Sequence, residues 1–179
     1  MNFLPHLRSL ACATLAALAL PAFAMPDLVI LVRHAERAAE PAGDPGLTPA
    51  GEQRAQALAQ ALAGTKVNAI LTTQFRRTQD TAAPLAKALG LQAQVIEARR
   101  GDAGGHVQAV ADAVRAQTGT VLVVGHSNTV PAILAALGGP KLPEICETSF
   151  HHIFLLRPGA GWMQLGYGAP SAAPAAGCL

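Results

Sequence analysis

The chain has 179 residues, with 13 Lys+Arg against 11 Asp+Glu, a formal charge of +2, and 4% aromatic residues. So even a charge balance speaks against the clustered basic face of a nucleic-acid-binding protein. So few aromatics speak against a base-stacking surface.

The first residues read as an address. Arg8 is their only formal charge, an apolar run spans Leu10 to Leu20, and Ala22-Phe23-Ala24 precedes Met25. A basic start, a short apolar core and an A-x-A ending predict a signal peptide, residues 1–24, cleaved after Ala24. The run is shorter than the roughly 20 residues that span a bilayer, so no stable membrane span is expected after cleavage. The mature chain would keep 155 residues, 12 of them basic and 11 acidic, enough for one domain with a real core. Its expected location is the periplasm or the medium. Cys146 and Cys178 remain, without a C-x-x-C pattern; in an oxidising compartment they could pair or stay free.

The first strand is predicted over Leu28–Val32, an unbroken run of Leu, Val and Ile suited to burial on both faces. A Pro/Gly-rich loop follows from Pro41 to Leu47. Thr48 reads as an N-cap with Pro49 in the first helical position, opening a helix to about Ala63. Ala55, Leu58, Ala59 and Leu62 recur there at three- and four-residue spacing. A second strand is predicted at Ala69–Thr72 and a helix from about Arg76 to Leu89, closed by Gly90. A third strand near Ala93–Ile96 leads to a loop holding Arg99, Arg100, Gly101 and Asp102. The next helix is expected from Val107 to Ala116, a fourth strand over Thr120–Val124, and a helix from about Val130 to Leu137. Two late strands, His152–Leu156 and Trp162–Tyr167, flank the turn Pro158-Gly159-Ala160-Gly161. Alternating strands and helices predict an α/β fold, a mostly parallel sheet covered by helices. The single domain is expected over residues 25–168, with a loose Ala/Pro-rich tail over 169–179.

Ligands of such sheets bind beyond the carboxyl ends of the strands, and the polar clusters lie there. Strand one runs into Arg33-His34-Ala35-Glu36-Arg37, strand two into Thr73-Gln74-Phe75-Arg76-Arg77, and strand four into Gly125-His126-Ser127-Asn128. Arginine in a strand-end run is costly to bury unless it meets an anion, and its planar fork of donors matches phosphate oxygens. Neutral imidazole can attack phosphorus without prior deprotonation. Ser127 and Asn128 read either as caps of the following helix or as donors to phosphate. His106 reads as a surface or helix-start residue. His151 and His152 would point to opposite faces of a strand and make a poor chelating pair.

The pattern resembles the histidine phosphatase superfamily, also called the phosphoglycerate mutase-like fold. The family's Arg-His-Gly motif stands here as Arg33-His34-Ala35, and its Leu-Thr-x-x-Gly as Leu47-Thr48-Pro49-Ala50-Gly51. Its second arginine sits four residues after a Ser or Thr and four before Thr-Ala; Thr73, Arg77 and Thr81-Ala82 keep that spacing. Its Gly-His is Gly125-His126. The four elements occur in family order over nearly the whole mature chain. Arg33-His34-Ala35-Glu36-Arg37 also resembles the Arg-His-x-x-Arg of acid phosphatases, which implies phosphate binding by Arg37. That branch carries an aspartate after its second histidine, where Ser127 stands here, so the proton donor must lie elsewhere.

The resemblance implies a three-layer phosphoglycerate mutase-like fold and a two-step reaction. His34 would take the phosphoryl group, with Arg33, Arg77 and His126 holding its oxygens, and water would then hydrolyse the phosphohistidine. In the mutase-like branch the donor follows the third strand, which points to Asp102; Glu97, Glu36 and Glu144 are the other candidates. The expected activity is hydrolysis of phosphomonoesters, with no metal or organic cofactor and no nucleic acid partner. The substrate would be a phosphorylated small molecule or an envelope sugar phosphate. Rival readings are a protein phosphohistidine phosphatase, whose substrates are cytoplasmic, and a non-catalytic phosphate or sugar-phosphate binding module. A mutase is disfavoured because Leu89 to Val107 is too short for a large lid.

Overall fold

Strand β1 (Leu28–Arg33) lies inside a six-stranded sheet in which both of its faces are covered. The computed structural model describes residues 25–171 and 175–179, so the expected signal peptide lies outside the described residues. In chain order come α1 (Pro49–Ala61), β2 (Val67–Thr72), α2 (Arg76–Leu89), β3 (Gln94–Val95), α3 (Ala103–Arg115), β4 (Thr120–Gly125), α4 (Thr129–Ala136), β5 (His152–Arg157) and β6 (Gly161–Gly166). The strand order is β3-β2-β4-β1-β5-β6. β3, β2, β4 and β1 run parallel, and β5 and β6 form an antiparallel hairpin at one edge. This is the expected three-layer α/β architecture.

The period of two in β1 and β4 decides which residues meet which helices. Ile30, Val32, Leu122 and Val124 face the layer of Leu58, Leu62, Ala82 and Leu85 from α1, its end and α2. Val29, Leu31, Val121 and Val123 face Val110, Ala111, Val114, Ile133 and Leu134 from α3 and α4. With every one of these strand residues buried, each contributes roughly 1.5–3 kcal/mol of transfer energy. The two neighbouring strands are thereby locked in register at their carboxyl ends, where Arg33 is level with Gly125. Because α1 follows β1 on one face and α4 follows β4 on the other, a crevice opens at that point.

The start of α1 explains the Leu-Thr-x-x-Gly motif. The Thr48 Oγ1 accepts the Gly51 N–H at 3.1 Å, and the Thr48 N–H donates to the Glu36 carbonyl at 2.9 Å. A Cβ at position 51 would collide with that same carbonyl, so the helix can sit on the loop after β1 only with glycine there.

Three expectations need correction. β3 has two residues rather than four, and both are exposed, because at the sheet edge only one neighbour supplies hydrogen bonds. α3 starts at Ala103, not Val107, since Asp102 caps it: Oδ1 accepts the Gly105 N–H at 2.8 Å. Gly104-Gly105 resembles a helix breaker in sequence, but the cap offsets the propensity. The end of the tail is not loose. Cys178 forms a disulfide with Cys146, the Cys146 N–H donates to the Leu179 carbonyl at 2.7 Å, and the Leu179 N–H to that of Glu144 at 2.9 Å.

Candidate active site

His34 follows β1 directly, and its backbone N–H donates to the Gly125 carbonyl at 2.9 Å, joining the ends of β1 and β4. The next peptide is held as well: the Ala35 N–H donates to Thr81 Oγ1 at 2.9 Å, and that hydroxyl donates to the Arg77 carbonyl at 2.6 Å. Thr81 of α2 therefore ties the peptide after His34 to the backbone of Arg77. The side chain of His34 is buried, with Nδ1 2.8 Å from the Ala35 carbonyl. A carbonyl oxygen only accepts, so Nδ1 carries the proton and Nε2 keeps its lone pair. Burial drives the His34 pKa down to about 3 against the raising effect of that carbonyl, and the charges of Arg33, Arg77 and Arg37 lower it further. At neutral pH the His34 ring is therefore uncharged.

His126, at the end of β4, faces His34 edge-on, with ring centroids 5.4 Å apart. Its Nε2 lies 3.2 Å from the Thr73 hydroxyl, and its backbone N–H donates to Thr129 Oγ1 at 3.1 Å. Burial, then His34 and Arg77, hold its pKa at about 3 too. Two neutral rings can share one pocket; two charged ones would repel.

Arg33 is buried, its Nη1 donating to the carbonyls of Cys146 at 2.7 Å and Ser149 at 3.0 Å. Its Nη2 donates to Glu147 Oε2 at 2.9 Å, and its guanidinium stacks on Phe150, 4.2 Å from the ring centroid. Arg77 stacks likewise on Phe75 at 4.2 Å, and Asp44 lies 3.9 Å away. The Nε atoms of Arg33 and Arg77 are both buried and have no hydrogen-bond partner among the described residues. Unpaired buried donors on two cations are costly unless an anion meets them.

A cavity of about 370 Å³ is lined by Arg33, His34, Arg37, Arg77, His126 and Ser127, together with Asn128, Gly43 and Glu147. The fold thus brings together seven of the eight residues that the sequence points to. Asp102 is the one it leaves outside, as its carboxylate caps α3 and lines a separate cavity with Glu97. Nor do the alternative donors reach the cavity. Glu36 is held by Arg54, with contacts of 2.7 to 3.0 Å, and Glu144 lies on the loop against the C-terminus. Asn128 stands at the N-cap position of α4 without a side-chain capping bond, and Ser127 donates to Glu147 Oε1 at 2.7 Å instead of capping.

Glu147 and Arg54 escaped the sequence reading. Glu147 stands 114 positions from Arg33 in a segment with no periodicity. Arg54 is buried on the inner side of α1, where its spacing among apolar residues was the available signal. His106 is buried rather than on the surface, its Nδ1 3.1 Å from the Glu97 carbonyl. It lines a groove of about 700 Å³ with Gln74, Arg99 and Arg100, which meets the first cavity at Arg77, His126 and Asn128.

Residues 29–101 match the family model described as histidine phosphatase superfamily (branch 1). The solved structure of the putative phosphohistidine phosphatase SixA from Agrobacterium tumefaciens is similar, with a TM-score of 0.56 and 22% identity over 81% of this chain and 99% of that one. The protein histidine phosphatase SixA complexed with tungstate gives 0.58 and 21%, over 80% and 97%. The mycobacterial glucosyl-3-phosphoglycerate phosphatase Rv2419c, in complex with VO3, gives 0.58 and 18%, over 80% and 99%. At these identities the structural likeness carries the fold. No curated protein is significantly similar in sequence.

Proposed function

We propose that this chain, whose residues 29–101 match the histidine phosphatase superfamily model, is a histidine phosphatase that hydrolyses phosphomonoesters through a phosphohistidine formed on His34. The observation that carries the reading is the convergence of a neutral, tautomer-fixed His34 with Arg33 and Arg77, whose buried Nε atoms have no partner, in one cavity. His34 Nε2 attacks phosphorus, while Arg33, Arg77 and Arg37 neutralise the charge spread over the equatorial oxygens. Because the stacked guanidiniums and the anchored rings are already in place, no reorganisation is needed as that charge develops. Water then reopens the phosphohistidine.

The groove bordered by Arg99 and Arg100 is open to the cavity and suits the remainder of a phosphorylated small molecule. The similar solved structures are named for different phosphorylated groups, one as a putative phosphohistidine phosphatase and another as a glucosyl-3-phosphoglycerate phosphatase. The signal-peptide pattern of residues 1–24 supports export to the periplasm or medium, and a Cys146–Cys178 disulfide suits an oxidising compartment. That location favours small phosphomonoesters, such as envelope sugar phosphates, over cytoplasmic phosphohistidine proteins.

The test is hydrolysis of 4-nitrophenyl phosphate by the mature protein, with and without chelator, beside His34→Ala. Turnover that survives chelation, vanishes in the variant and passes through an acid-labile phosphoenzyme is expected. Phosphate binding without turnover or phosphoenzyme across a panel of monoesters would turn the reading to a binding module.

A further inference from the structure

We propose that Glu147 is the proton-handling carboxylate of this site, giving a proton to the departing oxygen and recovering one from the attacking water. The inference rests on the phosphatase reading above and supplies the residue that the reading lacks. Hydrolysis of an alkyl monoester releases an alkoxide, which needs a general acid at the moment of P–O cleavage. Asp102, Glu97, Glu36 and Glu144 are all placed elsewhere: on a helix cap, in a separate cavity, on Arg54 and against the C-terminus. Asp44 stands near Arg77, but its Oδ1 accepts the Arg76 N–H at 2.9 Å, and it does not line the cavity. Among the described residues, Glu147 is the acidic side chain that lines the same cavity as His34.

Its setting suits both halves of the task. The backbone is fixed: Cys146 is in the disulfide, the Ile145 N–H donates to the Ser127 carbonyl at 3.0 Å, and the Ser149 N–H to that of Cys146 at 2.8 Å. The carboxylate itself is free to exchange protons, since the side chain is 77% exposed while its partner Arg33 is 3% exposed. Ser127 and Arg33, which hold Oε1 and Oε2, also face the place where a phosphoryl group must sit. In the free protein the Ser127 hydroxyl and the Arg33 charge keep the carboxyl below the usual carboxylate range. A phosphate dianion arriving on the same guanidinium reverses this. Two anions on one cation favour the state in which one of them is protonated, so the substrate itself loads Glu147 with the proton it will need.

The step balances. As the His34 Nε2–P bond forms, the P–O bond breaks, its electron pair stays on the leaving oxygen, and the Glu147 proton goes to that oxygen. In the second half the oxygen of water attacks phosphorus and its proton passes to the Glu147 carboxylate. The Nε2–P electron pair then returns to the ring.

The experiment compares wild type, Glu147→Gln and Glu147→Asp on 4-nitrophenyl phosphate and on glycerol phosphate, using kcat/KM, which reports the steps through P–O cleavage. In Glu147→Gln a loss of about 10²–10³-fold is expected on glycerol phosphate and of less than about tenfold on the aryl ester, whose leaving group needs little protonation. The aryl ester should also leave this variant accumulating phosphoenzyme, because water has lost its base. Glu147→Asp should recover part of the alkyl activity. Equal losses on both esters would overturn the proposal and leave Glu147 as a positioning residue for Arg33. A gain in kcat/KM with tighter inhibition by inorganic phosphate would overturn it too, making Glu147 a competitor for the anion site. Absence of wild-type turnover on both esters would remove the phosphatase reading and this inference with it, visibly before any variant is compared.

Discussion

The carbonyl of Cys146 accepts a 2.7 Å hydrogen bond from Arg33 Nη1, so a half-cystine holds the arginine that precedes His34. The same loop supplies the Ser149 carbonyl to Nη1 and the Phe150 ring beneath the guanidinium. A covalent link to the C-terminus therefore stands one hydrogen bond away from the proposed phosphate-binding machinery.

Cutting that link should cost both stability and activity. The disulfide closes a loop of sequence separation 32, for which chain entropy gives about 3–4 kcal/mol. Cys178→Ser should therefore unfold at lower denaturant concentration. Its KM for aryl phosphate should rise more than its kcat falls, because Arg33 would be less firmly aimed. Treating the wild type with a dithiol reductant should reproduce both effects, and an unchanged KM would show that the loop holds Arg33 without the bridge.

Thr81 is expected to matter beyond its modest size. Thr81→Val keeps the volume but removes the acceptor of the Ala35 N–H, leaving a buried donor unpaired at a cost of about 1–3 kcal/mol. The backbone after His34, the proposed nucleophile, would lose its anchor to α2. A fall in kcat accompanying the loss in denaturation midpoint is the expected outcome, with Thr81→Ser restoring most of both.

Asp102 and Glu36 provide the contrast to Glu147. Asp102→Ala should cost about 1 kcal/mol through the lost N-cap of α3, while Asp102→Asn should cost much less. Both should hydrolyse alkyl and aryl esters in nearly the wild-type ratio. Glu36→Gln removes the partner of the buried Arg54, and breaking such a pair costs on the order of 3–5 kcal/mol in the buried limit. Because Glu36 is partly exposed, a smaller loss is expected, read in denaturation rather than in the ratio of the two substrates.

Stability should fall as pH drops below about 6.5, and the two histidines are one cause. His34 and His126 have folded pKa values of about 3, depressed from 6.5 by burial first. Below 6.5 the unfolded chain binds protons that the folded chain refuses, so each ring's contribution is complete above that pH and is lost toward pH 3. The Glu36 carboxylate, held low by Arg54 against the opposing effect of burial, adds loss in the acid range. Replacing both histidines by Asn should flatten the fall of Tm between pH 6.5 and 4. A slope equal to wild type would show that the rings are not neutral in the folded state.

Much of the site was legible because its residues sit on regular elements at strand ends. Arg33-His34 and Gly125-His126 end two strands whose apolar runs are unmistakable, and Thr73, Arg77 and Thr81 keep a helical spacing around the start of α2. At Asp102 the resemblance pointed to a proton donor after the third strand, whereas the structure shows its carboxylate capping α3 through the Gly105 N–H. Local pattern was silent at Glu147, whose loop between α4 and β5 has neither period nor motif, and at Arg54, whose meaning depends on Glu36 lying beneath it.

By itself the sequence determined the layers, the order of strands and helices along the chain, and which strand ends carry the histidines and arginines, because periodicity and short motifs are local properties of the chain. Only the tertiary structure decided which carboxylate reaches the cavity, and that Cys146 and Cys178 pair. It also decided that the end of the chain returns to support Arg33. Those outcomes depend on contacts between segments 32 to 114 residues apart, which the packing of the whole sheet brings together and no local pattern records.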